Sequence, residues 1–413
     1  MNVNRGTEKQ QKLPPGWRWA KLGEACVQDR EMLEPRSQRA KALPYLSLED
    51  IESVSGKILK RPVSLLAPRG ISISFAFNHS HVLYGKLRPY LNKVALPDFE
   101  GRCTTEIIPL RPSENVDRVY LAWFLRCDET AQEAMRGKTG SRMPRADMAE
   151  LLKIPIPFAP LAEQKRIAAI LNEQMAAAEK ARAAAEAQLE EAKALPAAYL
   201  RQVFPNEGQP LPPDWRWAKL GEICIGTGQY GLSEKASSVP QGVPILRMSN
   251  IRDGMIFWDD LKYVQLPGVL VHQYRLSKDD LLFNRTNSAE LVGKSAVFDG
   301  NQEAVFASYL IRYRVRTNIV NPHFLCRYIN SQNGRAFIEK NMTRAIGQVN
   351  INASTLGTMP IPLPSPNEQA RITAILNEQM VSAERLQKNL KKQLHEINSL
   401  PAALLRKAFN GEL

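Results

Sequence analysis

Long hydrophobic runs are missing from this chain of 413 residues. No apolar stretch approaches the roughly 18 residues that a membrane-spanning helix needs. The polar opening MNVNRGTEKQQK also lacks the hydrophobic segment of a signal peptide. A membrane partner is therefore not expected, and the expected compartment is the cytoplasm. Cysteine is scarce: Cys26, Cys103, Cys127, Cys224 and Cys326 are scattered, odd in number and without a CxxC pair. That pattern argues against a disulfide framework and against a structural zinc site. Of five histidines, only His79-Ser80-His81 would set two rings on one face of a strand. A third ligand is not evident nearby, so no metal is expected.

Catalytic signatures are absent too. There is no GxxxxGK[ST] phosphate loop, no HExxH, no GxSxG and no GxGxxG. Asn321-Pro322-His323-Phe324 is similar to the Asn-Pro-Pro-Tyr/Phe loop of amino-methyltransferases, but the second proline is missing and no glycine-rich cofactor motif accompanies it. It reads as coincidence, and the chain is expected to be no enzyme and to hold no cofactor of its own.

What the chain does have is a surplus of positive charge, +13 in all. Residues 1–162 carry +7 and residues 205–367 carry +4, whereas residues 163–204 are neutral. Such a surplus points to a polyanion, with nucleic acid favoured over a membrane because no basic amphipathic helix accompanies it.

It also has an internal repeat. LPPGWRWAKLGE at residues 13–24 returns as LPPDWRWAKLGE at 211–222, and EQKRIAAILNEQM at 163–175 returns as EQARITAILNEQM at 368–380. A third pair, LPAAYLRQVF at 195–204 and LPAALLRKAF at 400–409, keeps the 205-residue offset of the second. At the openings the offset is 198, so the second copy gains seven residues in between, where the sequences diverge almost completely. Shared frame and divergent middle suggest one scaffold that meets two different targets. The expected order is a globular domain over residues 1–160, a helical spacer over 161–204, a second globular domain over 205–365 and a second spacer over 366–413.

Residues 161–195 are rich in Ala, Glu, Gln and Lys without Gly or Pro, which predicts a long helix. Its counterpart starts at Ser365-Pro366-Asn367-Glu368, with a capping serine, a proline at the first helical position and a glutamate to close a capping box. Apolar residues at Ile372, Ile375, Leu376, Leu386, Leu390, Leu394, Ile397 and Leu400 form one stripe. The thinner face Ile167, Ile170, Leu171, Ala178, Ala181, Ala185 and Leu189 suits it, so the two helices are expected to pack together. Pro196 and Pro401 should end or kink them, a short terminal helix following, since proline removes a backbone donor and clashes with the preceding turn. Pro205 to Pro210 reads as a linker.

Short strand-like runs broken by turns make each middle an α+β domain. Ile154-Pro155-Ile156-Pro157 and Met359-Pro360-Ile361-Pro362 suit only edge or extended segments. Candidate nucleic-acid contacts lie in loops where cations, amides and aromatics interleave. In the first middle these are Lys86, Arg88, Tyr90 and Asn92, then Lys138, Ser141, Arg142 and Arg145. In the second they are Arg285, Thr286 and Asn287, then Arg344, Gln348 and Asn350. Arginine and lysine pair with phosphates or guanine edges, and amides contact adenine in two-point fashion.

The duplicated plan resembles the specificity subunit of type I restriction-modification systems. The resemblance rests on LPxxWRWAKLGE opening each domain, on Arg285-Thr286-Asn287 to Val292-Gly293-Lys294, on the glycine loops at Gly140 and Gly347, and on the proline-rich approach to an EQxRI helix at Glu163 and Glu368. It covers nearly the whole chain. It implies two target recognition domains, each followed by a long helix, the helices packing as an antiparallel coiled coil with pseudo-twofold symmetry. It further implies a non-catalytic subunit that reads a bipartite asymmetric site on double-stranded DNA, one half per domain. Two adenine methyltransferase subunits and restriction subunits that translocate would be its partners. S-adenosylmethionine, magnesium and ATP would belong to those partners. Glu163, Gln164, Arg166, Glu368, Gln369 and Arg371 would serve their docking, because different specificities must meet the same methyltransferase. The loop with Met143-Pro144-Arg145 departs from its counterpart in being more cationic. A stand-alone DNA-binding regulator would share the basic domains, although no compact helix-turn-helix pattern is present. A helical protein-interaction scaffold would instead bind with little salt dependence.

Overall fold

The computed structural model describes residues 13–59, 72–136, 138–140, 142–205, 209–252, 254–288, 291–345 and 348–413. Helices and strands mix within each of two compact units. One comprises the chain up to Glu186 together with Lys392–Leu413, and the other Ala187–Lys391.

In the first unit, strand Arg18–Lys21 pairs antiparallel with Pro155–Phe158, Trp19 opposite Pro157 and Lys21 opposite Pro155. A two-stranded ribbon leaves both strands an edge, so the prolines forfeit no bond the ladder needs. The central sheet runs Cys26–Gln28, Ile107–Pro112, Val82–Gly85, Val94–Ala95, all antiparallel. A second four-stranded sheet contains Met32–Leu33, Ser74–Phe77, Gly101–Thr104 and Tyr45–Leu46, the last two strands parallel. Helix α1 (Arg118–Leu125) begins where the Asp117 carboxylate accepts from the amides of Val119 and Tyr120, satisfying donors the first turn leaves open. Its Tyr120, Leu121, Phe124 and Leu125 are buried over Val82, Leu83, Ile107 and Ile108 in one core. Helix α2 (Asp128–Arg136) follows, and α3 spans Leu161–Val203.

The second unit repeats the plan. Arg216–Lys219 pairs with Pro360–Leu363, and the central sheet runs Cys224–Tyr230, Leu310–Val315, Asp280–Asn284, Ser295–Val297. Asn321 caps α4 (Pro322–Ile329) by accepting from His323 and Phe324. Thus Asn-Pro-His-Phe is a helix start, with proline at a first-turn position where its missing N–H costs nothing. Helices α5 (Gln332–Asn341) and α6 (Pro366–Phe409) follow. Cys26 with Cys224, Ile107 with Leu310 and Ala146 with Ile351 hold equivalent places. The extra seven residues are therefore spread along the second middle in small pieces.

The expectation that the helices end at the prolines, with a separate short helix after them, is corrected: α3 runs on through Pro196 and α6 through Pro401. What holds the turns beyond each proline is burial. Phe204 stacks edge-on against Phe324 and Tyr328 at centroid distances of 5.4 and 5.2 Å. Phe409 meets Tyr120 and Phe124 at 5.0 and 5.4 Å. Burying Leu200 and Phe204, or Leu405 and Phe409, offsets the roughly 3 kcal/mol a proline costs inside a helix. The repeated LPAAxLRxxF is thus a structural plug.

The apolar stripe is also narrower than its periodicity suggested. Ala178, Ala185 and Ala192 on α3, and Leu376, Ala383 and Leu390 on α6, are buried at seven-residue spacing, the interval of a coiled-coil seam. Ile375, Leu386 and Leu400 are instead exposed, since a seam of period 3.5 turns the intervening positions outward. Within the second unit the Gln387 amide donates to the Ala192 carbonyl at 3.0 Å. There Leu200 and Phe204 share a core with Ile372 and Leu376, so the helices run antiparallel. In the first unit Arg166 donates to the carbonyl of Leu413.

The EQxRI segment is mostly a joint between helix and domain. Gln164 is 1% exposed. Its amide nitrogen donates to the Asn115 and Ala159 carbonyls at 3.0 and 2.8 Å, while its oxygen accepts from the Asp117 amide at 2.9 Å. Gln369, fully buried, does the same with Ile319, Pro364 and Asn321. Asn172 accepts from the Trp123 indole, and Asn377 from Arg327. The expectation that Gln164 and Gln369 dock a partner is therefore corrected: all their polar atoms are committed inside the fold, as a buried amide requires.

Candidate nucleic-acid interface

Each central sheet ends in the same three-way junction. In the first unit, strand Val82–Gly85 runs on into Lys86, whose amide donates to the Glu106 carbonyl and whose own carbonyl accepts from the Ala146 amide, both at 2.9 Å. Leu87 bridges to Arg145. In the second unit, Asp280–Asn284 runs on into Arg285, whose amide donates to Tyr309 and whose carbonyl accepts from Ile351, both at 3.0 Å. Thr286 pairs with Asn350. Lys86, Glu106 and Arg145 thus stand where Arg285, Tyr309 and Asn350 stand.

The side chains at this common place differ. Arg145 grips Glu106, with Nε at 3.0 and 3.1 Å from the two carboxylate oxygens and a second nitrogen at 2.9 Å. Arg285 has no acid to pair with among the described residues. Its guanidinium lies 4.8 Å over the Tyr230 ring, and Nε donates to the Asn350 amide oxygen at 3.4 Å. Tyr230 is itself held, its hydroxyl accepting from the Ala353 amide at 3.0 Å. Stacking and one hydrogen bond pre-orient Arg285 without neutralising it, which suits a cation meant for a phosphate or a guanine edge.

Among the other candidates of the first unit, Arg88 is exposed and left-handed at φ 54°, a conformation few side chains adopt. It is held by its amide donating to the Pro144 carbonyl at 2.7 Å. Tyr90 is 55% exposed beside it. Asn92 is corrected: it is buried, and its amide donates to the Arg126 carbonyl at 2.7 Å, so it shapes the loop and is turned away from a base. Lys138 starts a two-residue ladder with Arg145–Ala146, and Arg142 is exposed at its turn. In the second unit, Thr286–Asn287, Thr343–Ala345 and Gln348–Asn350 form a three-stranded ribbon with Arg344 exposed. The Thr286 hydroxyl has no partner among the described residues. Ser141 and Gly347, and the side chains of Asn287 and Gln348, lie outside the described residues, as does the middle of the Pro205 to Pro210 linker. Lys86, Arg88, Arg142 and Arg344 carry no ion pair among the described residues. A cleft of about 300 Å³ opens beside Tyr309, with Lys235 and Arg247 on its wall.

Tyr230, Glu106 and Tyr309 were missed in the sequence. Each meets its partners only through long-range strand pairing, and no local motif marks them.

His81 is buried, with Nδ1 accepting from the Asn78 amide, so Nε2 carries the proton and donates to Asp29 at 3.2 Å. Burial raises the Asp29 carboxyl, but His81 and Arg111 outweigh it and hold it below its ordinary range. The five cysteines are buried thiols, with burial pushing Cys26, Cys224 and Cys326 up to about 12; they are poor nucleophiles. On the helices, Glu163 and Arg166 pair at the surface, as do Glu368 and Arg371, at 2.8 and 2.7 Å.

A fold built twice, with one junction carrying two different sets of donors and acceptors, defines a scaffold that presents two different recognition surfaces. The model of the type I restriction modification DNA specificity domain matches residues 73–189 and 212–396. The chain belongs to this family of type I restriction-modification specificity subunits. It is 26% identical over 312 residues to the StySPI specificity subunit of Salmonella potsdam, spanning 74% of this chain and 67% of that one. It is 27% identical over 316 residues to the EcoKI specificity subunit of Escherichia coli K12, with the same coverage. Among solved structures, the HsdS subunit from Thermoanaerobacter tengcongensis superposes with a TM-score of 0.71 at 26% identity, covering 98% of this chain and 100% of that one. A chain from a structure of type I R-M complex assembly and conformational transition gives 0.76 at 26% identity, covering 97% and 100%. No helix among the described residues is long and apolar enough to cross a membrane.

Proposed function

We propose that this specificity subunit reads a split, asymmetric DNA sequence, one half per recognition domain, with the long helices fixing the gap. It brings two adenine methyltransferase subunits and the restriction subunits to that site and performs no chemistry itself. S-adenosylmethionine, magnesium and ATP are bound by those partners, and the assembly works in the cytoplasm. Lys86, Arg88, Tyr90, Arg142, Arg145, Arg285, Arg344 and Asn350 face the DNA, with Lys138, Thr286, Asn287 and Gln348 on the same segments. Arg166 and Arg371, exposed, with the half-buried Glu163 and Glu368 that pair with them, meet the methyltransferases. The observation that carries this reading is the junction where one backbone arrangement presents Lys86, Glu106 and Arg145 in one unit and Arg285, Tyr309 and Asn350 in the other. The joints between helix and domain fix most of the frame, whereas recognition of two half-sites leaves the junction free to differ. Co-expression with its methyltransferase subunit, followed by single-molecule mapping of methyladenine in host DNA, tests it. A split motif with a constant gap is expected; a stable complex that adds no new methylation contradicts it.

A further inference from the structure

Resting on that reading, we infer that Glu106 is a specificity-determining residue of the first recognition domain: its carboxylate, pinned by Arg145, accepts a hydrogen bond from the exocyclic amino group of a base in the major groove. An acid is unexpected here, because this junction otherwise presents Lys86, Arg88 and Arg142 to a polyanion. Unpaired, it would be repelled by phosphates. The bidentate contact from Arg145 compensates the charge but does not exhaust the acceptor sites, since a carboxylate offers about four. The Glu106 side chain keeps 24% of its surface exposed, so those sites are reachable from solvent.

An acceptor-only group discriminates by sign. Cytosine N4 and adenine N6 donate to it, whereas guanine O6 and N7 and thymine O4 meet it acceptor to acceptor. At the equivalent place the second domain carries Tyr309, 47% exposed, with Asn350 where the first has Arg145. A hydroxyl both donates and accepts, so the position offers each half-site a different pattern. The competing assignment is that Glu106 only holds Arg145 in place.

The two separate in an assay of the full chain with its methyltransferase subunits, acting on an oligonucleotide pool randomised through both half-sites and read by sequencing. The wild-type complex must first select a split motif; if it selects none, the functional reading fails and not this assignment in particular. Glu106→Gln keeps the shape but adds a donor. It is expected to lose about ten- to hundredfold discrimination at one base pair of the first half-site, with every other position and the second half-site unchanged. The base at that position tells cytosine from adenine. An unaltered motif, or a uniform fall across all sequences, overturns the assignment. Should Glu106→Gln fail to assemble, the double variant Tyr309→Glu with Asn350→Arg decides. A new preference for an amino-bearing base at one position of the second half-site supports the assignment, and an unchanged second half-site overturns it.

Discussion

The two junctions differ in how their arginines are used. Arg145 is spent on an acid, whereas Arg285 is stacked on Tyr230 and left charged. Elsewhere the two units agree closely: an Asp or Asn caps the first domain helix, a buried Gln locks the long helix to it, and a Phe plugs the same hydrophobic pocket. Identity is concentrated where the chain joins helix to domain, and difference where it faces outward. A sequence repeat here is therefore not a partner footprint by default; most of it is internal joinery.

That contrast can be broken in several places. The largest effect is expected at the joints. Gln164→Leu or Gln369→Leu strands two carbonyls and one amide inside the protein, each buried unmet group costing about 1–3 kcal/mol. Either variant should lower its unit's stability by about 3 kcal/mol or more, and to a similar extent in both, as followed by denaturant unfolding. Unequal losses would mean the joints are not equivalent. Next, Arg285→Ala should weaken specific DNA binding about ten- to hundredfold and relax one base pair. Lys86→Ala should act evenly over sequences and lower the salt slope by about one. Competition binding at several salt concentrations separates these outcomes.

Acid should also tell the units apart. Asp29 in the first unit has a folded-state carboxyl held below its ordinary range. Its contribution is therefore present above the unfolded value and lost as pH falls through the folded one, below about 4. In the second unit, burial raises Asp280 despite the Ser277 amide and Arg312 and Arg314 nearby. A raised carboxyl has the opposite sign, favouring the folded state as pH falls. On acid titration monitored by hydrogen exchange the first unit should open first. Asp29→Asn should remove its share of that difference. The smallest effect is expected at the exposed pairs: Arg166→Ala and Arg371→Ala should leave unfolding unchanged, as surface ion pairs do, while weakening capture of the methyltransferase subunit in a pull-down.

The repeat, the long helices, the edge ribbons and the basic loops were legible in the sequence because each is a local signal: identity, composition, proline placement, charge. Charge and amide character single out Lys86, Arg145, Arg285 and Asn350, and the fold brings them to the two junctions. Asn92, Gln164 and Gln369 were misread because a polar side chain looks the same in sequence whether its partner is water or a buried carbonyl. The run of the helices through Pro196 and Pro401 was hidden because the stabilising contacts, Phe204 on Phe324 and Phe409 on Tyr120, join residues far apart in the chain. Glu106 and Tyr309 stayed invisible because only the ladder registers bring them beside Lys86 and Arg285.

The most direct test of one half-site per domain is a chain in which residues 26–146 replace residues 224–351, so that both units carry the first middle on an intact frame. Mapped methylation should then show two identical half-sites in inverted orientation, with the first half of the original motif on each strand. A motif that keeps its original second half would contradict the assignment of each half-site to its own domain.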